Sequence, residues 1–546
     1  MKKHFLRFSI AIFTFVLLSV SIYAQQVGSY AITNADVVLV SGPTITDATI
    51  VIRDGLIESV GKNISIPADA KVFDGRGLTV YPGFFDTNTD LGIQKAPPTR
   101  GGQNAQSNQP QSNSNYPESL RPEQTAAEKL KAGEAQFAAQ RNNGFTTVLT
   151  VEDSGIFEGQ SAVINLAGDS VSSMIIRSPF AQHVAFRTER GGQFPSSLMG
   201  TFAALRQMFL DAKRLNEIQK MYDKNSRGMK RPEKDTALEA LMPIINGQMP
   251  IVFNANTERE IIRVVDLAKE FNLRAIISGG SEAGRVADRL KAQNIPVLLS
   301  LNFPKRTLTE NKEADPESLE TLRLRAEVPK TAAKLKQAGV KFAFQSGELK
   351  NIGDFWGNAE ETTKNGLAKS DAIRAMTLDA AEILGVKNQL GSIETGKIAN
   401  LVVMKGDIFA DDKTITHVFI DGKVFEMPKK PEKKPGDDTT GETGKIVQVG
   451  GTWTLTIAAP GQSIDAQLVL DQQGNVLTGT MNSTFFGSAT IKNGTATANG
   501  FSFDATISIG GQEINTSFNG TVSDNKMEGT VSLQEDAATF TGTKNP

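Results

Sequence analysis

The chain has 546 residues, a formal net charge of −2, three histidines and no cysteine. A chain of this length holds two or three domains, and its nearly balanced charge gives no electrostatic reason to expect a nucleic-acid partner. The lack of cysteine excludes disulfides, thiolate metal sites and cysteine nucleophiles.

The N-terminus has the pattern of a secretory signal peptide. Basic residues near the start precede an apolar run, residues 8–20, that is too short to span a bilayer comfortably. Ala24 offers a cleavage site. We therefore predict a signal peptide over residues 1–24, a periplasmic or secreted mature protein, and no membrane span after cleavage. An uncleaved anchor is the alternative.

Two distant segments, residues 25–80 and 386–426, alternate apolar and polar positions as half-buried strands do. Each contains an Asp-Gly pair, Asp54-Gly55 and Asp421-Gly422. Such a pair between strands indicates a hairpin, because both residue types tolerate positive φ. We predict that the two segments form one discontinuous β-sandwich domain.

Residues 81–385 alternate short apolar strands with amphipathic helices. The strand at residues 251–253 is followed by Thr257 and Glu260, which fit a capping box, and then by apolar residues on one helical face. Short apolar strands between helices indicate a parallel sheet covered on both faces. This pattern predicts an α/β fold built on a closed (β/α)8 TIM-like barrel.

Three further segments differ in composition. Residues 94–124 are rich in Gln, Asn, Ser, Pro and Gly, which predicts a loop insertion over the barrel mouth or a disordered lid. Residues 427–445 have the composition of a linker. Residues 446–546 are rich in Thr, Gly and Ser and predict a C-terminal all-β domain, a small barrel or sandwich. That domain could bind a ligand, mediate adhesion or cap the fold.

Four motifs connect residues 28–426 with a known superfamily. Residues 81–86 match the entry to its barrel, 143–148 a following strand, 372–385 the last barrel helix, and 390–403 the return into the β domain. Together they resemble the amidohydrolase superfamily, particularly its imidazolonepropionase-like branch. The resemblance implies hydrolysis of carbon–nitrogen, non-peptide bonds by one or two divalent metals, typically zinc, at the carboxyl ends of the strands.

The residues that the resemblance places at the metal-ligand positions are not zinc ligands. The superfamily uses an HxH pair after strand one, a modified lysine on strand four, histidines after strands five and six, and an aspartate after strand eight. Here the histidine and aspartate positions hold Asn88, Asp90, Asn254, Gly280 and Gly347, and no lysine lies between residues 141 and 212. We predict that no metal and no zinc cofactor is bound, and that the five residues form a binding site at vestigial metal positions.

The histidine count leads to the same expectation. His4 belongs to the predicted signal peptide, and His417 lies in a predicted strand of the β-sandwich. His183 alternates with apolar residues, as an ordinary strand or pocket histidine does, although a general-base role is the alternative. Two separated imidazoles without a thiolate cannot build the sites of three or four ligands that zinc prefers.

A hard cation, or chemistry without any metal, is the competing interpretation. The oxygen-bearing residues near predicted strand ends are Asn88, Asp90, Glu152, Asp153, Glu282 and Glu348. Calcium and magnesium accept such oxygens, whereas a hydrogen-bonded polar network accounts for the same residues without a cation. The catalytic candidates under this interpretation are Asp90, His183 and Glu282.

The sequence thus predicts an exported amidohydrolase-like protein without zinc-dependent activity. Its cavity would bind a small molecule, or the chain would serve as a partner subunit, either in a homodimer or paired with an intact amidohydrolase. The alternative is a metal-independent or hard-cation enzyme that uses Asp90, Glu282 or His183 at the barrel mouth.

Overall fold

The computed structural model describes residues 28–94, 116–133, 135–168, 170–189, 194–305, 317–347, 349, 351–410, 413–427, 447–459, 462–497, 500–509, 512–523, 525–533 and 536–545. The predicted signal peptide, Glu348, most of the predicted insertion and nearly all of the predicted linker lie outside the described residues. The chain divides into two compact units, residues 1–430 and 431–546.

The strands of the first unit alternate with helices after the N-terminal β segment. In chain order the strands are β1 (Tyr30–Val37), β2 (Ile45–Arg53), β3 (Leu56–Gly61), β4 (Lys71–Asp74), β5 (Leu78–Pro82), β6 (Phe84–Thr89), β7 (Phe145–Thr150), β8 (Phe157–Gln160), β9 (Ala162–Asn165), β10 (Ile175–Arg177), β11 (Gln182–Ala185), β12 (Ile251–Ala255), β13 (Ala275–Gly279), β14 (Val297–Ser300), β15 (Phe342–Gln345), β16 (Leu401–Lys405), β17 (Thr414–Ile420) and β18 (Lys423–Glu426).

One eight-stranded sheet joins the two segments of alternating pattern. Its order is β18-β17-β16-β5-β1-β2-β3, with β4 paired to β1. Strand β16 pairs antiparallel with β5, which places Leu401 opposite Pro82. The predicted hairpin turns at Asp54 and Gly55, whose φ angles are 51° and 80°. A Cβ on Gly55 would lie 2.9 Å from the carbonyl oxygen of Asp421, so the two Asp-Gly turns touch.

The central strands form two sheets, β10-β9-β7-β6 and β15-β14-β13-β12-β11-β8, which are consistent with the predicted barrel type except that one segment is reversed. Strands β6 and β7 pair in parallel, and β11 to β15 follow one another in parallel. Between these groups, β9 pairs antiparallel with β7, and β8 pairs antiparallel with β11. Residues 151–156 alone separate β7 from β8, too few for the crossover helix that parallel strands need. The sequence pattern does not predict this reversal.

Strands β15 and β6 meet on the other side of the barrel. Thr87 Oγ1 donates to the carbonyl oxygen of Phe344 at 2.9 Å, and Ser346 N donates to Asp86 Oδ1 at 2.9 Å. Seven strands (β6, β7, β9, β12, β13, β14 and β15) also share one buried apolar cluster. Their side chains in it are Phe85, Leu149, Val163, Val252, Ile276, Leu298 and Ala343. The interior is therefore filled at this level. The mixed α/β architecture is consistent with the TIM-barrel type.

Helices cover the outside of these strands. They are Ala126–Lys129, Ala135–Asn142, Val171–Met174, Leu198–Lys224, Thr236–Ile245, Glu258–Phe271, Ala287–Ala292, Leu319–Glu327, Thr331–Gln337, Asp354–Lys364, Lys369–Ala375 and Leu378–Ile383. The predicted capping box is confirmed, because Glu260 N donates to Thr257 Oγ1 and Thr257 N donates to Glu260 Oε2. Among the described residues, no helix combines the length and apolar character needed to cross a membrane.

The second unit is a closed barrel of eight antiparallel strands. They are β19 (Gly451–Ala459), β20 (Gln462–Gln473), β21 (Val476–Ser483), β22 (Gly487–Ala496), β23 (Phe501–Ile509), β24 (Gln512–Ser523), β25 (Lys526–Leu533) and β26 (Asp536–Lys544), and β26 pairs back with β19. Trp453, Phe503, Phe518 and Phe540 fill its core, and Trp453 Nε1 donates to the carbonyl oxygen of Val449 at 2.9 Å. The predicted C-terminal all-β domain is confirmed, and of the two predicted forms, a small barrel or a sandwich, it is the barrel.

Candidate functional site

A polar cavity of about 520 Å³ lies at the carboxyl ends of the barrel strands. Its lining residues are Asn88, Thr89, Asp90, Val151, Glu152, Asp153, Glu158, Asn254, Asn256, Ser278, Gly279, Ser281, Ser300, Asn302, Gln345, Gly347 and Leu349. The polar members carry amides, hydroxyls and carboxylates. The carboxyl ends of parallel strands meet at one edge, which is why residues distant in sequence converge here.

Four of the five predicted binding residues line this cavity. Asn88 and Asp90 come from the end of β6, Asn254 from β12, and Gly347 from the turn after β15. Gly280 is buried next to the lining and its neighbour Gly279 faces the cavity instead. Gly280 has a φ of 66°, and a Cβ there would lie 2.7 Å from Val297 Cγ1, so this turn suits glycine whatever the cavity holds.

Asn88 has a polar atom that the protein leaves unpaired. Its Oδ1 is buried and has no hydrogen-bond partner among the described residues. A buried carbonyl oxygen without a donor costs about 1–3 kcal/mol. The residue lines the cavity, so a turn of its amide would bring this oxygen to a donor on a bound molecule.

His183 lies in the barrel wall and does not line the cavity. It is 2% exposed on β11, and its Nε2 lies 3.0 Å from Ser161 Oγ. Burial lowers the pKa of the imidazole to about 3, so the ring is neutral at physiological pH. His417 lies on β17 of the first sheet, with its ring against Phe73. The two histidines are therefore in different sheets, and neither lines the cavity.

Glu282 stabilises the start of a helix. Its Oε2 accepts from Glu258 N at 2.7 Å, and its Oε1 lies 2.7 Å from Arg285 Nη1. Because Glu258 begins the helix Glu258–Phe271, the carboxylate satisfies a free N–H group and faces the positive end of the helix dipole. It does not line the cavity. Of the three catalytic candidates, Asp90 alone lines it.

Asp86 connects two strands below the cavity. It is fully buried and accepts from Ser346 N at 2.9 Å and from Ser346 Oγ at 2.6 Å. Burial raises the pKa of this carboxyl to about 6, although the Ser346 hydrogen bonds oppose the shift. Asp86 therefore holds the ends of β6 and β15 together, next to Asn88 and Gly347.

The sequence reasoning missed Glu158 and Arg187. Glu158 lines the cavity with its side chain only 7% exposed, and its Oε1 lies 3.1 Å from Arg187 Nη2. The same Nη2 contacts Asp153 Oδ1. Burial raises the pKa of Glu158 to about 8, Arg187 opposes this, and Asp153 adds to it. One sequence signal could have indicated Glu158, which directly follows the apolar pair Ile156-Phe157. A charge in a buried strand is costly unless it is paired, so a glutamate at this position predicts a nearby partner.

Glu152, the first carboxylate after β7, is paired with the helix Ala126–Lys129. Lys129 Nζ contacts Glu152 Oε2 and donates to Gln124 Oε1 at 2.7 Å. The backbone nearby is fixed too, since Gln160 N donates to the carbonyl oxygen of Gln124 at 2.8 Å. The described end of the predicted insertion therefore packs against the cavity wall formed by β8.

These residues do not suit zinc. The vestigial positions in the cavity offer the amide groups of Asn88 and Asn254 and the carboxylate of Asp90, and Gly347 has no side-chain donor. Zinc sites are built mainly from imidazole and thiolate, and the two histidines among the described residues, His183 and His417, lie elsewhere. Within the described ranges, no three His, Cys, Asp or Glu side chains are grouped to hold a metal ion. The chemistry of the donors therefore disagrees with a zinc centre.

Comparison with known proteins identifies the family. The amidohydrolase family profile matches residues 79–425. An amidohydrolase from Thermotoga maritima MSB8 is 25% identical, with a TM-score of 0.61, over 73% of this chain and 100% of that chain. A Xaa-Pro dipeptidase with bound methionine in its active site is 17% identical (TM-score 0.40; 73% and 100% covered), and molinate hydrolase is 16% identical (0.41; 73% and 96%). No curated protein matches the chain.

The chain belongs to the amidohydrolase family, whose members are hydrolases acting on carbon–nitrogen bonds. The resemblance inferred from the four sequence motifs is thereby confirmed. The fold assignment rests on the family match and on the Thermotoga protein.

Proposed function

We propose that this protein is an exported member of the amidohydrolase family that binds a polar small molecule at the barrel mouth without zinc-dependent hydrolysis. The observation that carries the proposal is a cavity at the strand ends lined by Asn88 and Asn254, at positions where the resemblance would place metal-binding imidazoles. Amide side chains both donate and accept hydrogen bonds. They match the C=O and N–H groups of lactams, imides and cyclic dipeptides, the carbon–nitrogen compounds that suit the family.

The unpaired Oδ1 of Asn88 supports this ligand class. Turned toward the cavity, this oxygen would accept a hydrogen bond from a ligand N–H group and so gain the partner that it lacks in the protein. We expect lactams, imides or cyclic dipeptides to bind the full-length mature chain after dialysis against chelator, as measured by titration calorimetry. Asn88→Ala should weaken binding about tenfold or more, which corresponds to the loss of one or two hydrogen bonds.

A matched control separates binding from general stability. Asn216 lies on the helix Leu198–Lys224, where its amide contacts Asn246 at the surface. Asn216→Ala should leave the affinity unchanged. Equal affinity of Asn88→Ala and the unaltered chain would contradict the proposed site. Stoichiometric zinc together with chelator-sensitive turnover would overturn the zinc-independent part of the proposal.

Export and assembly are separate parts of the proposal. Mature protein recovered from the native host should begin at Gln25 if the signal peptide is cleaved after Ala24. Pairing with a second copy, or with an intact amidohydrolase, can be tested by co-purification followed by measurement of particle mass. Recovery of the single chain alone would argue against a partner subunit.

A further inference from the structure

Two carboxylates and a guanidinium meet on one wall of the cavity. Glu158 lies on β8 and Asp153 in the turn before it, and both line the cavity. Arg187 follows β11 by two residues, and its Nη2 contacts Asp153 Oδ1 and lies 3.1 Å from Glu158 Oε1. The antiparallel pairing of β8 with β11, in which Phe157 is opposite Val184, brings the three side chains together.

The two carboxyl groups differ in their surroundings. The side chain of Glu158 is 7% exposed, whereas that of Asp153 is 59% exposed. Both groups contact Arg187 Nη2. Burial raises the pKa of Glu158, Arg187 opposes this shift, and Asp153 adds to it. Because its pKa is raised, the Glu158 carboxyl holds a proton at neutral pH.

We propose that Glu158 and Asp153 form the acid–base pair of a metal-independent hydrolytic site, with Arg187 as the residue that positions both. This inference rests on the proposed function, because it needs a carbon–nitrogen compound in the same cavity. It replaces His183 and Glu282, which do not reach the cavity, as candidates for the chemistry.

The reaction is a hydrolysis that balances without a metal. Asp153 accepts a proton from water while the water oxygen bonds to the carbonyl carbon of the ligand. The carbon–nitrogen bond breaks, and Glu158 gives its proton to the leaving nitrogen. The proton on Asp153 then passes to Glu158, since both carboxyl groups lie against Arg187 Nη2, and restores the starting state. Carboxyl pairs that share a proton support this type of acid–base exchange.

The proposal is tested by measuring turnover by the full-length chain in excess chelator. The compounds are lactams, imides and cyclic dipeptides. Glu158→Gln keeps the size of the side chain but cannot release a proton as an acid. We expect this variant to lose at least about 100-fold in kcat with little change in KM, since general acid catalysis contributes roughly 10²–10⁴-fold. The high-pH decline of the rate, expected near the Glu158 pKa of about 8, should disappear. Glu282→Gln is the matched control and should retain the original rate.

Infrared spectroscopy gives a second measurement that needs no substrate. At neutral pH the chain should show the C=O stretch of a protonated buried carboxyl, which Glu158→Gln removes and Glu282→Gln preserves. A Glu158→Gln variant with the original rate, or a bound compound that is not hydrolysed, would overturn the inference. Failure of every compound to bind would instead overturn the proposed function, and the infrared band would still decide whether Glu158 holds the proton.

Discussion

At the scale of single residues, burial determines what each polar side chain of the barrel can do. His183 and Glu158 lie on paired strands, yet the histidine is enclosed beside Ser161 while the glutamate reaches the cavity. Burial favours the neutral form of both groups, so it removes a charge from the imidazole and keeps a proton on the carboxyl. The same physical effect therefore makes one residue structural and the other a candidate for chemistry.

Asp86 gives a prediction about pH dependence. The folded chain holds the Asp86 proton up to about pH 6, whereas the carboxyl titrates near 3.8 without burial. The free energy of unfolding should therefore fall as the pH rises from about 4 to about 6 and show no further change from Asp86 above that. Asp86→Asn should lose this slope. It should be less stable than the original chain by about 1–3 kcal/mol at pH 4, and this difference should shrink as the pH rises to about 6.

Urea unfolding between pH 4 and 7 checks this prediction. At each pH the free energy of unfolding of Asp86→Asn is subtracted from that of the original chain. His183 acts in the opposite sense. Its pKa in the folded chain is lowered from 6.5, so acidification below that value reduces the free energy of unfolding. All three chains contain His183, so its contribution cancels when one curve is subtracted from another. Ser346→Ala is the informative companion variant. It removes a hydrogen bond that lowers the Asp86 pKa, so the sloping region should extend to higher pH. Parallel curves for all three chains would refute the assignment.

At the scale of elements, the contact between two turns ties distant parts of the first sheet together. The turn at Gly55 joins β2 to β3, and the turn at Asp421 joins β17 to β18. Their contact is close because the glycine has no Cβ. The geometry of each turn therefore depends on the other, although the two turns are far apart in sequence.

Gly55→Ala tests this contact against a matched glycine. Both Gly55 and Gly77 have positive φ, 80° and 72°, but a Cβ at Gly77 meets no atom within 4 Å. Gly77→Ala should cost about 1–2 kcal/mol from the backbone conformation alone. Gly55→Ala should cost more, because its Cβ also clashes with the carbonyl oxygen of Asp421. Chemical denaturation measures both, and equal losses would show that the turns do not constrain each other.

At the scale of the whole molecule, the second unit has the contacts needed to fold without the first. Its eight strands close on themselves, so no strand edge is left open, and its apolar side chains form their own cluster. We expect a chain of residues 447–546 to unfold cooperatively in urea. Trp453 is the single tryptophan of that piece and is fully buried, so its fluorescence reports the transition. A broad, non-cooperative change would contradict independent folding.

The fold was more predictable than the site because its signals are local. The Thr257 capping box, the Asp-Gly turns and the strand period of the second unit depend on residues close in sequence, and each is present. Glu158 could not be placed, because its position depends on the reversed segment β8, a matter of tertiary pairing. The sequence motif predicted Gly280 as a binding residue, but Gly279 is the glycine that lines the cavity. Motif matching does not distinguish positions that are one residue apart.

The pairing of β16 with β5 has a consequence for synthesis. Strand β5 is completed early by the ribosome, yet its partner emerges only after every barrel segment has been translated. Until then one edge of the N-terminal strands is uncovered and can attract other chains. A protein made in this order gains from a chaperone that shields the early strands, so its yield should respond to chaperone supply more strongly than that of the second unit made alone.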